Sequence, residues 1–501
     1  MKEFDTTLSG LDIFLGVLNI LIYLFTLSVM LSYLIIALLS LWYAFKHLKA
    51  SKSINYLSIL QSPEAPSISI VAPAYNESKT IIQNIRSLLS LDYGNYEVII
   101  VNDGSTDTTL ENAIEAYELE PVRYISPNNL KTQPIKAIYR SKNPALKNLL
   151  VIDKENGGKA DALNAGINCA NGDYIMNIDV DCILERDCLL KMIQPILDEP
   201  ERLAIASGGV VRVANDCIID KGVIKKVNVP KNLLARFQTL EYLRAFLLGR
   251  VAWQYLDGML LISGALGIFN KKIMIAAGGY STKTVGEDLE ISVRMRKYCR
   301  ENGIKYKVHF VPEPLVWTEV PEKLGQLLRQ RNRWTRGSIE TILAHKNLFF
   351  NPRYKFLGLI AYPYWVFYEW FAPLLEFFGL LTLFILLILG LLPGLYIALF
   401  LLTVVSFAIV FTITTIYAEE STYFQYKDAK GIRKLILAGL IEPVSYHFLV
   451  VWASLKGNWD YFIEGKVTWG KQVRKGFDRD TIDREKKILV SNTSGKLTPI
   501  N

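Results

Sequence analysis

The sequence predicts an α/β domain set between membrane-crossing helices, and three observations carry that prediction. Apolar stretches near both ends are too long for a soluble core element. About 300 residues between them alternate strand-like and helix-like patterns. Acidic residues collect where the apolar strands run out.

Residues 11–45 are almost all apolar. A helix of that length runs about 50 Å, more than the roughly 30 Å hydrocarbon core of a bilayer. It is expected to span at least once, as an anchor far longer than the core of a cleaved signal peptide. Lys46, His47, Lys49 and Lys52 follow at once, and the positive-inside rule then places the next domain in the cytoplasm. A second apolar region, 356–417, breaks at Pro393-Gly394 and reads as a hairpin of two spans. Its opening, 356–376, is rich in aromatic residues, carries Glu369 and Glu376, and suits the headgroup level. Residues 435–455, with Glu442, Pro443 and His447, either span, re-enter or lie flat. The basic tail, with Lys466, Lys471, Arg474 and Lys475, favours a cytoplasmic end and one non-spanning segment. The expected division is therefore a membrane anchor over 1–52, a cytoplasmic α/β domain over 60–350, a C-terminal membrane region over 351–460 and a basic tail over 461–501.

Composition narrows the function. A hydrophobic share of 51% places part of the chain in lipid. The net charge of +8 is spread out, with no Lys/Arg block of the kind that binds nucleic acid. The five cysteines form no CxxC pair, so neither a zinc cluster nor a full disulfide framework is indicated, and a reducing compartment is the simpler reading.

Within the domain, residues 67–72, 97–102, 149–153 and 174–179 are short apolar runs rich in β-branched residues, as in buried parallel strands. The first half therefore reads as a doubly wound unit with a mostly parallel sheet. Ligands of such sheets bind at the carboxyl ends of the strands. Those ends carry Tyr75, Asn76 and Glu77, then Asp103-Gly104-Ser105, then Asp179-Val180-Asp181.

Asp179 and Asp181 stand two apart on an extended segment, so both carboxylates face one side and offer a hard oxygen site for Mg²⁺ or Mn²⁺. Taken alone, the triplet is equally a solvated strand-to-turn junction. Asp103-Gly-Ser-Thr-Asp107 alone is an Asx-type turn capping the next helix. Gly286-Glu287-Asp288 opens a helical pattern, where acids suit the positive end of the dipole. Gln330-Arg331-Asn332-Arg333-Trp334 offers guanidinium groups and an indole, suited to a diphosphate and a sugar ring. The competing reading of that set is an interfacial helix with snorkelling arginines.

Taken in order, these pieces resemble the inverting, processive glycosyltransferases that include cellulose, chitin, hyaluronan and poly-N-acetylglucosamine synthases, the last most closely in appearance. The resemblance covers about residues 67–337 and rests on Ala72-Pro-Ala-Tyr-Asn-Glu77, Asn102-Asp-Gly-Ser-Thr-Asp107, Asn156-Gly-Gly-Lys-Ala-Asp-Ala-Leu-Asn164, Asp179-Val-Asp181, Ile262-Ser-Gly-Ala265, Gly286-Glu-Asp288, Trp317-Thr-Glu-Val-Pro-Glu322 and a QxxRW signature at Gln330 to Trp334. It implies a glycosyltransferase-A domain flanked by membrane helices, a UDP-sugar donor, a polysaccharide or lipid acceptor, and a multi-pass protein of the cell membrane. By the same resemblance, Tyr75, Glu77 and Asp103 match positions that hold uracil and ribose, and Lys159 lies in the nucleotide-sugar pocket. Asp179 and Asp181 match the nucleotide and metal pair, Asp288 the general base, and Gln330, Arg333 and Trp334 the set that holds the diphosphate and acceptor sugar.

Two positions depart from the family pattern. Asn102 stands where many relatives carry an Asp, and Gly286 replaces the Thr of the common TED triplet. The stretch 126–148 reads as a long linker with no assigned chemistry. Alternatives to a polymer synthase are transfer of one sugar to a lipid, and a non-catalytic scaffold or transporter, which the retained Asp181 and Asp288 disfavour. Sugar, linkage and any export subunits are not legible.

Overall fold

The computed structural model describes residues 10–51, 56–61, 64–124, 129–179, 182–220 and 222–465. The basic residues of the tail and Asp181 lie outside the described residues.

Among the described residues twelve strands run in chain order: β1 Ile68–Ala74, β2 Tyr96–Asp103, β3 Leu119–Pro121, β4 Ile135–Ser141, β5 Leu149–Lys154, β6 Tyr174–Asn177, β7 Ile183–Leu184, β8 Leu203–Val213, β9 Ile218–Asp220, β10 Val223–Lys226, β11 Gly267–Asn270 and β12 Tyr306–Thr318. Ten form one sheet in the order β3-β4-β5-β2-β1-β6-β11-β8-β12-β7, while β9 and β10 form a separate ribbon. The centre, β5-β2-β1-β6, is parallel as expected. The flanks are not: β3-β4-β5 and β6-β11-β8 pair antiparallel, so the sheet as a whole is mixed. Part of the expected linker at 126–148 is the strand β4, paired between the edge strand β3 and β5. Its side chains are mostly half-buried, only Ile138 being enclosed, as on a strand near the border of the sheet.

The central strands bury almost everything they carry. Ile70, Val71, Ile99, Val101 and Ile152 are fully enclosed, and each such side chain contributes about 1.5–3 kcal/mol over its exposed state. The helix Lys159–Cys169 lies so close on β1 and β2 that a Cβ at Gly166 would collide with Val71 and Val101. That contact fixes the height of Lys159 at the helix start above the strand ends.

Among the described residues three helices are long and apolar enough to cross a membrane: Gly16–Lys49, Leu357–Ile388 and Gly394–Thr422. Their outer faces present Ile20, Leu24, Phe384, Leu395 and Leu402 with more than half their surface open, which suits lipid and not water. The turn at Pro393-Gly394 separates the last two, as expected. The segment read as spanning, re-entrant or flat is a bent pair, Ala429–Val444 and Tyr446–Phe462, with a 49° break. Its second arm lies along the helix Leu324–Ala344: Asn332 donates to Asp460 at 2.8 Å, and a Cβ at Gly457 would meet Thr335 at 2.8 Å.

Candidate active site

The ends of β1, β2 and β6 lie side by side, with Ala74 opposite Asn102 and Val71 opposite Asn177. The loops beyond them are cross-tied. Asn76, held in the left-handed region at φ 58°, accepts the Thr106 N–H at 2.8 Å, and Ser105 Oγ accepts the Asn76 N–H at 3.0 Å. Glu77 N–H donates to Thr109 and Ser78 N–H to Asp107. The segment Asn102 to Asp107 thus frames the first-strand motif and leaves Tyr75 half exposed.

Asp103 does not face open space. Its carboxylate is buried and accepts the Gly157 N–H at 3.0 Å and the Gly158 N–H at 2.8 Å, and it pairs with Lys154 at 2.6 Å. Lys154, fully enclosed, also bridges to Asp161 at 2.7 Å. Gly158 turns at φ 84°, a conformation that favours glycine. The Asn156-Gly-Gly-Lys motif is therefore a clamped turn that delivers Lys159 to the strand ends.

There Lys159 Nζ meets Asp179 Oδ1 at 2.7 Å and Glu287 Oε1 at 3.2 Å. Burial opposes the lysine's charge, but Asp179, Glu287 and Asp288 outweigh it and raise its pKa. Burial pushes Glu287 above the ordinary carboxylate range, with Lys159 pulling the other way. Glu287 Oε2 is enclosed with no hydrogen-bond partner.

Asp288 sits in the first turn of the helix Glu287–Glu301. Its two oxygens accept the Gly264 and Leu289 N–H groups, each at 2.9 Å. A Cβ at Gly264 would lie 3.1 Å from Lys159 Nζ and 3.2 Å from Asp288 Oδ2, so the glycine of Ile262-Ser-Gly-Ala265 lets the two groups close in. Gly286, just ahead, packs on Gly337: a Cβ at 286 would fall 2.8 Å from the Gly337 Cα. The start of the helix Glu287–Glu301 and the helix Leu324–Ala344 therefore touch backbone to backbone.

Of the five residues 330–334, two turn inward. Arg331 is buried, bridging Glu241 at 2.7 Å and Tyr446 at 3.1 Å with its guanidinium 4.0 Å from the Trp334 ring centroid, and Asn332 is held by Asp460. Gln330, Arg333 and Trp334 face a cavity of about 1960 Å³, which Lys159, Asp179, Glu287 and Asp288 also line. Trp334 is 40% exposed to it. The cavity continues between the apolar helices past Phe25, Tyr368 and Phe407. The intramembrane acids Glu369, Glu376 and Glu442 line it, Glu376 meeting His447 at 2.6 Å and Glu442 chelated by Arg244. Tyr75, Glu77 and Asp103 lie at the strand ends outside its lining.

Sequence reading missed Lys154, Glu241, Tyr446 and Gly337. The signal for Lys154 was its place at the end of a buried strand, where a lysine needs an acid.

The family model described as glycosyl transferase family 2 matches residues 69–143, and glycosyl transferase family group 2 matches 174–414. Poly-beta-1,6-N-acetyl-D-glucosamine synthase of Staphylococcus aureus (strain COL) is 31% identical over 294 residues, 58% of this chain and 59% of the relative. The enzyme of the same description from Staphylococcus epidermidis is 29% identical over 297 residues, 58% of this chain and 60% of the relative. The alignments thus span about three fifths of the length of these curated relatives. Among solved structures, the mannosyltransferase PcManGT from Pyrobaculum calidifontis in complex with GDP-Man and Mn²⁺ superposes with a TM-score of 0.49 and 17% identity, over 85% of this chain and 99% of that one. With acids at its strand ends, a mixed sheet and family matches over residues 69–143 and 174–414, the chain carries glycosyltransferase family 2 domains.

Proposed function

We propose that this chain is a membrane-bound, inverting and processive glycosyltransferase, which moves a hexose or N-acetylhexosamine from a UDP-sugar onto a growing polysaccharide at the cytoplasmic face of the cell membrane. The observation that carries the reading is the single cavity joining Asp179, Lys159 and Asp288 to the space between the apolar helices. A polar path there gives the intramembrane acids a reason to exist, because acids facing lipid are costly. The similarity to the staphylococcal synthases supports the polymer. The second arm of the bent pair, lying along the QxxRW helix, supports a tail returning to the cytoplasmic side.

Asp288, oriented by two backbone N–H groups, takes the proton of the acceptor hydroxyl as general base. The hydroxyl oxygen attacks the anomeric carbon, the bond to UDP breaks, and a single displacement inverts the configuration. Lys159, Arg333 and Gln330 face the leaving diphosphate, Tyr75 and Glu77 receive the nucleoside, and Asp103 supports that pocket through the turn it clamps. Trp334 offers its ring to the terminal sugar. Among the described residues no three potential ligands are grouped to hold a metal ion, so a divalent cation, Mg²⁺ or Mn²⁺, would draw further ligands from the diphosphate oxygens. Asp179, with Asp181, would hold it, and it would neutralise charge on the departing UDP.

The test is to incubate the purified chain with a panel of UDP-sugars and size the product. A pulse of label is expected in long chains before short ones accumulate, and Trp334→Ala is expected to cut polymer yield sharply. A lipid bearing one sugar as the only product, at high donor concentration and long times, would replace the processive reading with the lipid-glycosylation one.

A further inference from the structure

The helix Leu233–Leu243 runs into a π-helical turn, Arg244–Arg250. Such turns are rare and recur at functional sites. This one is pinned to the first apolar helix: Ser40 Oγ donates to the Leu248 carbonyl at 2.8 Å and accepts the Ala252 N–H at 3.0 Å. It brings two arginines to the cavity wall, and their fates differ. Arg244 is spent on Glu442 and on Thr412, the latter at 2.9 Å. Arg250 lies 4.0 Å over the buried Phe246 ring, and its Nη1 is sealed from solvent with no hydrogen-bond partner. The residue as a whole is half-buried and lines the cavity. Burial lowers the Arg250 pKa to about 10, with the charges of Asp288, Tyr242 and Glu369 pulling the other way.

The cavity that Arg250 lines has Asp288 at the strand ends and Glu369 between the apolar helices, and the turn that carries Arg250 is tied to the first apolar helix through Ser40. Arg250 therefore stands where the two parts of the cavity join. A guanidinium carries five fixed N–H donors and keeps its proton at any ordinary pH. Leaving such donors unmet in a desolvated wall is unfavourable unless a ligand supplies oxygens. The acids on either side already oppose its charge, so a neutral ligand rich in hydroxyl and carbonyl oxygens suits it better than a second anion.

We infer that Arg250 is an acceptor-binding residue, whose guanidinium N–H groups hold the hydroxyl or carbonyl oxygens of the terminal sugars where they pass from Asp288 into the membrane part of the cavity. The inference rests on the reading of this cavity as the acceptor's route. Its test is calorimetric and independent of turnover. The full chain in lipid nanodiscs is titrated with an N-acetylglucosamine pentasaccharide, in β-1,4- and β-1,6-linked forms, and separately with UDP. Arg250→Ala is expected to weaken the better-bound pentasaccharide by about tenfold or more while leaving UDP affinity unchanged. Arg250→Lys is expected to fall between the two. Should Arg250→Ala fail to fold, Arg250→Lys and Arg250→Gln carry the comparison. Unchanged pentasaccharide affinity in folded variants, an equal loss for UDP, or no pentasaccharide binding by the unaltered chain would overturn the assignment. A chain that binds the pentasaccharide but transfers no sugar counts against the transferase reading alone.

Discussion

At Asp288 both carboxylate oxygens already accept a backbone N–H, which holds the group in one orientation toward the cavity. Asparagine there keeps the volume and one acceptor but no longer takes a proton. Asp288→Asn is expected to cut transfer by about 10²-fold or more, the size of a general-base contribution, while UDP affinity stays within a few fold in a direct titration. Near-normal turnover would remove Asp288 from the mechanism. Chelation is expected to stop transfer, and added Mn²⁺ or Mg²⁺ to restore it; full activity in excess chelator would exclude the cation. These residues were legible because each stands where a buried element ends, so an acid there breaks an apolar pattern. Lys154, Glu241, Arg250 and Gly337 were not, because their roles depend on partners far along the chain. Lys154 meets Asp103 across 51 positions, and Arg331 meets Glu241 across 90.

Among the elements, β1, β2, β5 and β6 could be read because both faces of a central parallel strand are buried and the apolar run is continuous. The strands β8 and β12 hid themselves. In β8, Gly208 and Gly209 stand where side chains of Ile262, Phe310, Leu266 and Leu315 pack onto the backbone, which dilutes the strand pattern. β12 carries Pro312 and Pro314, ordinary signs of a break, and absorbs them through register shifts against β8. Glu290, on the helix Glu287–Glu301, supports that element from behind, accepting from Arg294 and meeting His345 at 3.0 Å. Burial alone would raise its pKa, but the hydrogen bonds from His345 and Arg294 bring it below the ordinary 4.5. A value lower in the folded chain than in the unfolded one means stabilisation that is complete above 4.5 and lost as pH falls through the folded value. Glu290→Gln is expected to destabilise the protein by about 3 kcal/mol at neutral pH, as removal of one partner from a buried pair does. The melting temperatures of variant and parent should converge as pH drops below 4.5; a gap that stays constant would show that the charge of Glu290 is not what stabilises.

For the whole molecule, the joint between sheet and membrane region is a buried ion pair. Arg212 of β8 meets Glu419 of the helix Gly394–Thr422, both almost fully enclosed, and Arg212 Nε and Nη1 and Glu419 Oε1 find no other partner. Such a pair favours one docking geometry more than it favours stability, since its desolvation offsets its attraction. Arg212→Met is therefore expected to cost about 3–5 kcal/mol by stranding the acid, whereas Arg212→Met with Glu419→Leu is expected to recover most of that loss. Thermal unfolding in detergent checks the first statement and limited proteolysis of the joint checks the second. A double variant weaker than the single would show that the pair is a net source of stability.

The contact between Gly286 and Gly337 is a ruler made of missing atoms. Asp288 is two residues past one glycine and Trp334 three residues before the other, so the spacing of these two side chains is set where two backbones touch with nothing between them. Any carbon added at either position lengthens that ruler by roughly the width of a methyl group, and a misplacement of about 1 Å can cost 10²-fold in rate. Thr at 286 is the residue common among the enzymes this chain resembles, yet Gly286→Thr is expected to slow transfer here while UDP affinity holds. An unchanged kcat would mean that the two helices can part without moving the base from its acceptor. In this chain a replacement that looks conservative by kinship is a change of gauge, and it would need a compensating loss of bulk on the opposite helix, where Gly337 has none left to give.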